Sequence, residues 1–110
     1  MSETISYDEF KKIDIRIVKV VDAESIPGKG KILKLIIETE EGKSRTIVAG
    51  GAQFYPPEYF KGKKFVALLN LAPRRIGGID SQGMLLAAAI GEKPLWLMVE
   101  EEAPVGSPVC

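Results

Sequence analysis

The side chains in this 110-residue chain whose spacing suggests chemistry are cations, eight of which fall in two stretches. Lys29, Lys31 and Lys34 crowd the first; Lys61, Lys63, Lys64, Arg74 and Arg75 occupy the second. Groups of this kind hold anions without making or breaking bonds. Bond-making chemistry has little to use. The chain has no histidine, so the commonest general base and metal ligand is missing. Its one cysteine, Cys110, excludes an internal disulfide framework and a cysteine-based zinc site. Ser81 has no histidine or lysine near it in sequence to act as its base, and its neighbour Asp80 reads as a loop acid. No acidic spacing resembles an EF-hand loop. An enzyme is therefore not expected, nor any catalytic residue, metal or cofactor.

Charge alone leaves the anion reading open. Fifteen lysines and arginines balance fifteen acids, whereas a general polyanion binder carries a basic excess. Affinity for an anion would have to come from a local patch, with the acids gathered elsewhere. Acids do collect at Glu38, Glu40 and Glu41, and again from Glu100 to Glu102. A solvated mixed surface accounts for the same pattern equally well.

The elements that would position these groups follow from length and periodicity. A chain this long makes one domain with one core, and 45% apolar against 27% charged residues indicates a globular protein. No apolar run approaches the roughly 18–20 residues that span a bilayer. The opening residues lack the layout of a signal peptide, so a cytoplasmic location is the expectation. Ser6 with Glu9 three residues on predicts a capping box and a short helix. From Ile13 the apolar period is two, and it slips by one at Ile17–Val18, which predicts a bulge or bend in a long first strand. Ser25 to Gly30 reads as a turn-rich break, Leu33 to Thr39 as a second strand, and Arg45 to Ala49 as a third after a hairpin turn at Glu41-Gly42-Lys43. Pro56 to Phe60 can form one helical turn, and Gly62 ends it. Phe65 to Leu69 reads as a buried fourth strand. A long loop, Asn70 to Gly83, leads to the fifth at Met84 to Ala89, and a further apolar stretch runs from Leu95 to Val99. Five strands with a helix between the third and fourth match an OB-fold barrel. An SH3-like barrel is the competing all-β layout, although it does not normally place a helix there.

The run Asn70-Leu71-Ala72-Pro73-Arg74-Arg75-Ile76-Gly77-Gly78-Ile79-Asp80-Ser81-Gln82-Gly83-Met84-Leu85-Leu86-Ala87-Ala88 resembles the tRNA-binding domain found at the C-terminus of many methionyl-tRNA synthetases. The same domain occurs as free-standing tRNA-binding proteins and as CsaA-type export chaperones. Asp14-Ile15-Arg16-Ile17, Ile47 to Ala52, Pro57-Glu58, Gly62-Lys63 and Pro104 to Ser107 resemble further landmarks of that family, so the likeness covers nearly the whole chain. Two places depart from it. Gly28-Lys29-Gly30 stands where the family has an Asn-Ala-Asp loop, and Ala49 stands where it commonly has serine.

The resemblance implies a single tRNA-binding domain over residues 1–110, with a barrel core of about 13–89 and a C-terminal extension of about 90–110. The implied role is structure-selective binding of tRNA, free-standing or supplied in trans to an aminoacyl-tRNA synthetase. The alternative is a CsaA-type chaperone whose partners are unfolded export clients. OB barrels bind across the second and third strands, between the loops that join strands one to two and four to five. Those loops here are Ser25–Ile32 and Asn70–Gly83, expected to stand as opposite walls of a groove. Lys31, Lys34, Arg74 and Arg75 would then take phosphates, Asn70 and Ser81 neutral hydrogen bonds, and Met84 an apolar contact to base or ribose. Each neutral residue has a structural alternative: Asn70 could cap the end of the fourth strand, Ser81 could bond its own turn, and Met84 could be core. Phe54, Tyr55, Tyr59 and Phe60 are expected to pack the helical turn onto the barrel. The resemblance also implies a homodimer, through Ile5–Phe10 or Leu95–Val99.

Overall fold

The computed structural model describes residues 3–110. The chain begins with helix α1, Tyr7–Phe10, held by the full capping box. The Glu9 amide donates to Ser6 Oγ at 3.1 Å, and the Ser6 amide donates to Glu9 Oε1 at 3.1 Å. Strands β1 (Ile15–Ile26), β2 (Lys29–Glu40) and β3 (Lys43–Gly50) follow, then helix α2 (Pro57–Phe60) and β4 (Lys64–Leu68). The next strands are short: β5 (Arg74–Ile76), β6 (Ile79–Ser81), β7 (Met84–Leu85), β8 (Ala87–Ile90) and β9 (Lys93–Trp96). The main antiparallel sheet has the order β3-β2-β1-β4-β7, while β5–β6 and β8–β9 form separate hairpins. This is the curled five-stranded, mostly β architecture expected of an OB-type fold, with α2 between the third and fourth strands of the sheet.

Strand β1 serves two partners. Ile15 to Lys19 pair with β4, and from Lys19 onward the strand pairs with β2. Curling the sheet this way needs a local bend, and one extra residue supplies it: Val20 pairs with Ile37 and Asp22 with Ile36, leaving Val21 unpaired. The apolar phase slip at Ile17–Val18 lies apart from that bulge. Val18 points into the core, whereas Ile17 is buried outside the core cluster. The Ile17 amide donates to the Ser107 carbonyl at 3.0 Å, and its own carbonyl accepts from the Gly106 amide at 2.8 Å. The C-terminal segment thus lies along the first half of β1, on the edge opposite β4.

The core is built from alternate residues of the curled strands: Val18 and Val20, Leu33, Leu35 and Ile37, Ile47, and Phe65. Phe60, fully buried on α2, joins it with its ring centroid 5.7 Å from both Phe65 and Trp96. Tyr55 and Tyr59 complete this aromatic group, and Tyr55 donates its hydroxyl to the Pro94 carbonyl at 2.6 Å. Burying an aromatic ring of this size contributes about 2–3 kcal/mol, so α2 and the β8–β9 hairpin are fastened to the barrel by the same aromatic cluster.

Three stretches differ from the sequence expectation. The turn-rich break after β1 shrinks to two residues, because Ile26 pairs directly with Lys29. Proline fixes φ at Pro27 and Gly28 takes φ +75°, the pairing that suits a type II turn. The long loop before the fifth strand contains the β5–β6 hairpin, turned by Gly77 (φ +59°) and Gly78 (φ +83°). Two successive positive φ values are what a type I′ turn requires. The fifth strand bonds β4 only as far as Leu86, whose amide donates to the Val66 carbonyl at 3.0 Å. Ala87 already belongs to the β8–β9 hairpin.

Candidate nucleic-acid interface

Strand parity sorts the cations of the first stretch. Leu33, Leu35 and Ile37 of β2 face the core, so Ile32, Lys34 and Ile36 lie on the outer face of the sheet. Lys34 is register partner to Val48 on β3 and to Glu24 on β1, and it pairs with the Glu24 carboxylate at 3.3 Å. Lys29 and Lys31 have the opposite parity and project beyond the end of the core, where both are exposed. Lys31 and Lys34 are therefore near in sequence but on different faces.

The β5–β6 hairpin sorts the arginines in the same way. Arg74 and Ile76 share a face and, with Val48, Leu71, Ala72 and Met84, line a half-open hollow of about 160 Å³. Arg75 points away from it and bonds Asp80 at 3.0 Å across the hairpin. The two arginines thus offer separate charges rather than one double contact. Met84 is 40% exposed at the rim of the hollow and is not a core residue.

The two loops meet instead of standing apart. A Cβ at Gly77 would lie 2.7 Å from Ile32 Cδ1 and 3.8 Å from Lys29 Cγ, so the hairpin tip rests against the start of β2. No open groove separates the two loops at this point.

Ser81 and Asn70 both bond backbone groups of neighbouring elements. Ser81 is 4% exposed; its hydroxyl accepts the Val48 amide proton at 2.9 Å and donates to the Gly83 carbonyl at 3.1 Å. Together with the Gln82 amide, which donates to the Thr46 carbonyl at 2.9 Å, it joins the hairpin to the edge of β3. Of the two readings open for Ser81, the local bond is the one the structure fills. Asn70 accepts from the Asp14 amide at 2.8 Å and donates to the Lys12 carbonyl at 2.5 Å. It does tie the end of β4, but to the residues ahead of β1 rather than to its own loop.

A residue the motif reading passed over has a similar role. Arg45 donates to the Leu69 carbonyl at 2.7 Å and to the Gln82 carbonyl at 3.3 Å, bridging β3 to both ends of the long connection. Its signal was weak: an arginine in phase with core-facing Ile47 and Ala49, near the strand start, where it can reach free carbonyls.

Most remaining cations have partners. Lys61 pairs with Asp22, Lys63 sits 3.6 Å from the Tyr59 ring centre, and Lys64 donates to the carbonyls of Glu101 and Ala103. Among the described residues, Lys12, Lys19, Lys29, Lys31 and Arg74 alone have neither a carboxylate, a carbonyl nor an aromatic ring as partner. Of these five, Lys29 lies against the hairpin tip, Lys31 is beside it on the other face of β2, and Arg74 stands at the base of the hairpin. The acids at Glu38, Glu40 and Glu41 lie at the far end of β2 and its turn. Eleven strand steps separate Lys29 from Glu40, at most about 36 Å. Unpartnered lysines thus stand at one end of β2 and acids at the other. No group of three or more His, Cys, Asp or Glu side chains among the described residues is placed to hold a metal ion.

The model of a family described as "Putative tRNA binding domain" matches residues 15–108. A methionine–tRNA ligase of Thermotoga maritima is 47% identical over 105 residues, covering 96% of this chain and 16% of that protein. The chain thus spans about one sixth of the ligases it matches. The crystal structure of a MetRS-related protein from Pyrococcus horikoshii superposes with a TM-score of 0.92 at 40% identity, covering 99% of this chain and 100% of that one. The chaperone CsaA of Bacillus anthracis follows with a TM-score of 0.87 at 26% identity, covering 98% and 100%.

Proposed function

The chain belongs to this tRNA-binding domain family, and from that premise we propose that it is a non-catalytic OB-type module that binds tRNA, on its own or alongside an aminoacyl-tRNA synthetase, the methionyl enzyme first. The observation that carries the reading is that Lys29 and Lys31 at the start of β2, and Arg74 on the hairpin that rests against it, have no partner in a molecule with no net charge. Phosphates recruit such cations by releasing counterions, and a patch of this kind suits a backbone presented in a defined shape. Lys31, Arg74 and Met84 are the residues assigned to RNA, with Lys34 and Arg75 as outlying charges that acids partly neutralise. A partner in translation makes the cytoplasm the working compartment. No helix among the described residues is long and apolar enough to cross a membrane.

Mobility shift of folded tRNA across a salt series tests this. The expected result is binding at low salt that weakens steeply as salt rises; no shift at low salt would refute it. One observation favours a second reading. The hollow beside Arg74 is lined mainly by apolar side chains, and the B. anthracis neighbour is a chaperone, so polypeptide capture is the alternative. Suppression of a denatured client's aggregation without tRNA binding would select it. Self-association is part of the proposal, because Ile90, Leu95, Leu97 and Met98 leave an apolar surface exposed on and after the β8–β9 hairpin. Sedimentation at micromolar concentration should give a dimer, and a strictly monomeric profile would remove that part.

A further inference from the structure

We propose that the hollow under the β5–β6 hairpin takes one unstacked base of the bound RNA while Arg74 holds a neighbouring phosphate; this rests on the tRNA-binding reading above. The volume sets the first limit. A cavity of roughly 150 Å³ accepts one benzene-sized ring, and this hollow measures about 160 Å³. It holds one ring, not a stack of bases.

The lining sets the second limit. Val48, Leu71, Ile76 and Met84 give apolar and soft walls suited to the face of a ring. Leu71 and Met84 are 38% and 40% exposed, so the apolar surface lies open to solvent. The charge at the rim sets the third. Arg74 has no carboxylate partner, whereas Arg75 next to it is paired with Asp80. A nucleotide brings both a flat ring and an anion, and so satisfies both features; an apolar side chain of a polypeptide would leave Arg74 unmatched.

Selectivity follows from what the hollow lacks. The Ser81 hydroxyl, the polar side chain nearest its floor, is used by Val48 and Gly83. Nothing there reads a base edge by hydrogen bonding, so the site separates unpaired from paired nucleotides and is tolerant of base identity. Taking roughly 50–60 Å² of a base's face out of water against these aliphatic walls, at about 25 cal/mol per Å², predicts a gain of about tenfold for one accessible base.

The test compares a blunt RNA duplex with the same duplex carrying one bulged uridine, and with the bulge made abasic. The wild-type chain should bind the uridine bulge about tenfold more tightly than the blunt duplex, and the abasic bulge should lose that gain. In Ala72→Trp, which fills the mouth of the hollow, the ratio of bulged to blunt affinity should fall to about one. Met84→Ser, which removes a wall, is the second variant should the first fail to fold. Equal binding of bulged and blunt duplexes, with tRNA still bound, would overturn the base site and leave the tRNA reading standing. An abasic bulge as good as uridine would overturn it too, because a bend would then be what is recognised. A ratio unchanged in both folded variants would have the same force. Loss of binding to tRNA and to every duplex would overturn both readings, and photocrosslinking of an apolar peptide instead of RNA at position 84 would reassign the hollow to polypeptide.

Discussion

The hydroxyl of Ser81 lies 2.9 Å from the backbone amide of Val48 and accepts its proton, where a continuous strand ladder would have placed a carbonyl. A side chain thus fastens the hairpin motif to the edge of β3, and it does so behind the hollow that Met84 and Arg74 rim. Ser81→Ala removes that acceptor and leaves a part-buried N–H unpaired. The expected loss is about 1–3 kcal/mol of stability, read as a lower urea midpoint at unchanged slope. A variant as stable as the parent would show that the bond is dispensable.

Gly77 and Gly78 separate conformational strain from steric contact. Both have positive φ, but a Cβ at Gly77 meets Ile32 Cδ1 whereas one at Gly78 meets nothing within 4 Å. Gly78→Ala should cost about 1–2 kcal/mol from the left-handed backbone alone. Gly77→Ala should cost about 0.5–1 kcal/mol more, because Ile32 must leave its rotamer. Placing both changes in an Ile32→Val background, which lacks Cδ1, should close the gap; a gap that persists would mean the two loops do not bear on each other there.

The arginines should be unequal in RNA binding. Arg74→Ala should lower the slope of log affinity against log salt by about 0.7–0.9. Arg75→Ala should lower it less, since Asp80 already neutralises part of that charge. Asp80→Asn should raise low-salt affinity. Equal slopes for the two arginine variants would contradict this division.

Asn70 should report on the N-terminal segment. Its amide bonds Asp14 and Lys12, and the Leu69 amide bonds the Asp14 carbonyl at 2.8 Å. Asn70→Ala should deprive the Asp14 amide of its acceptor and speed hydrogen exchange there and at Leu69, with little change in the core strands. A loss of protection spread evenly over the sheet would point instead to global destabilisation.

Much of the scaffold was legible because it depends on local periodicity. The Ser6–Glu9 capping box, the one-turn helix at Pro57–Phe60 stopped by Gly62, and the alternation of Leu33, Leu35 and Ile37 need no partner to be recognised. The Asn70–Ala88 run carried the family in the same way. The Gly77–Gly78 turn was also within reach, since two glycines between Ile76 and Ile79 are a hairpin signal, but the flanking strands are only three residues long. Too short to show an apolar period, they read as loop.

Tertiary structure decided which of those residues are free to act. The free edge of β1 at Ile17 is taken by a C-terminal segment some ninety positions away, at Gly106 and Ser107, which no local window contains. Ser81, buried at 4% exposure, bonds backbone groups at Val48 and Gly83, as a polar atom must once water is excluded, while exposed Asn70 bonds those at Asp14 and Lys12. Arg74 and Arg75, adjacent in sequence, were sent to opposite faces of a hairpin. Residue types and spacing therefore determined the fold and family on their own. Which cations stay unpaired, and that Arg74 shares a hollow with Met84, depended on long-range pairing and strand parity, which exist only once the chain is folded.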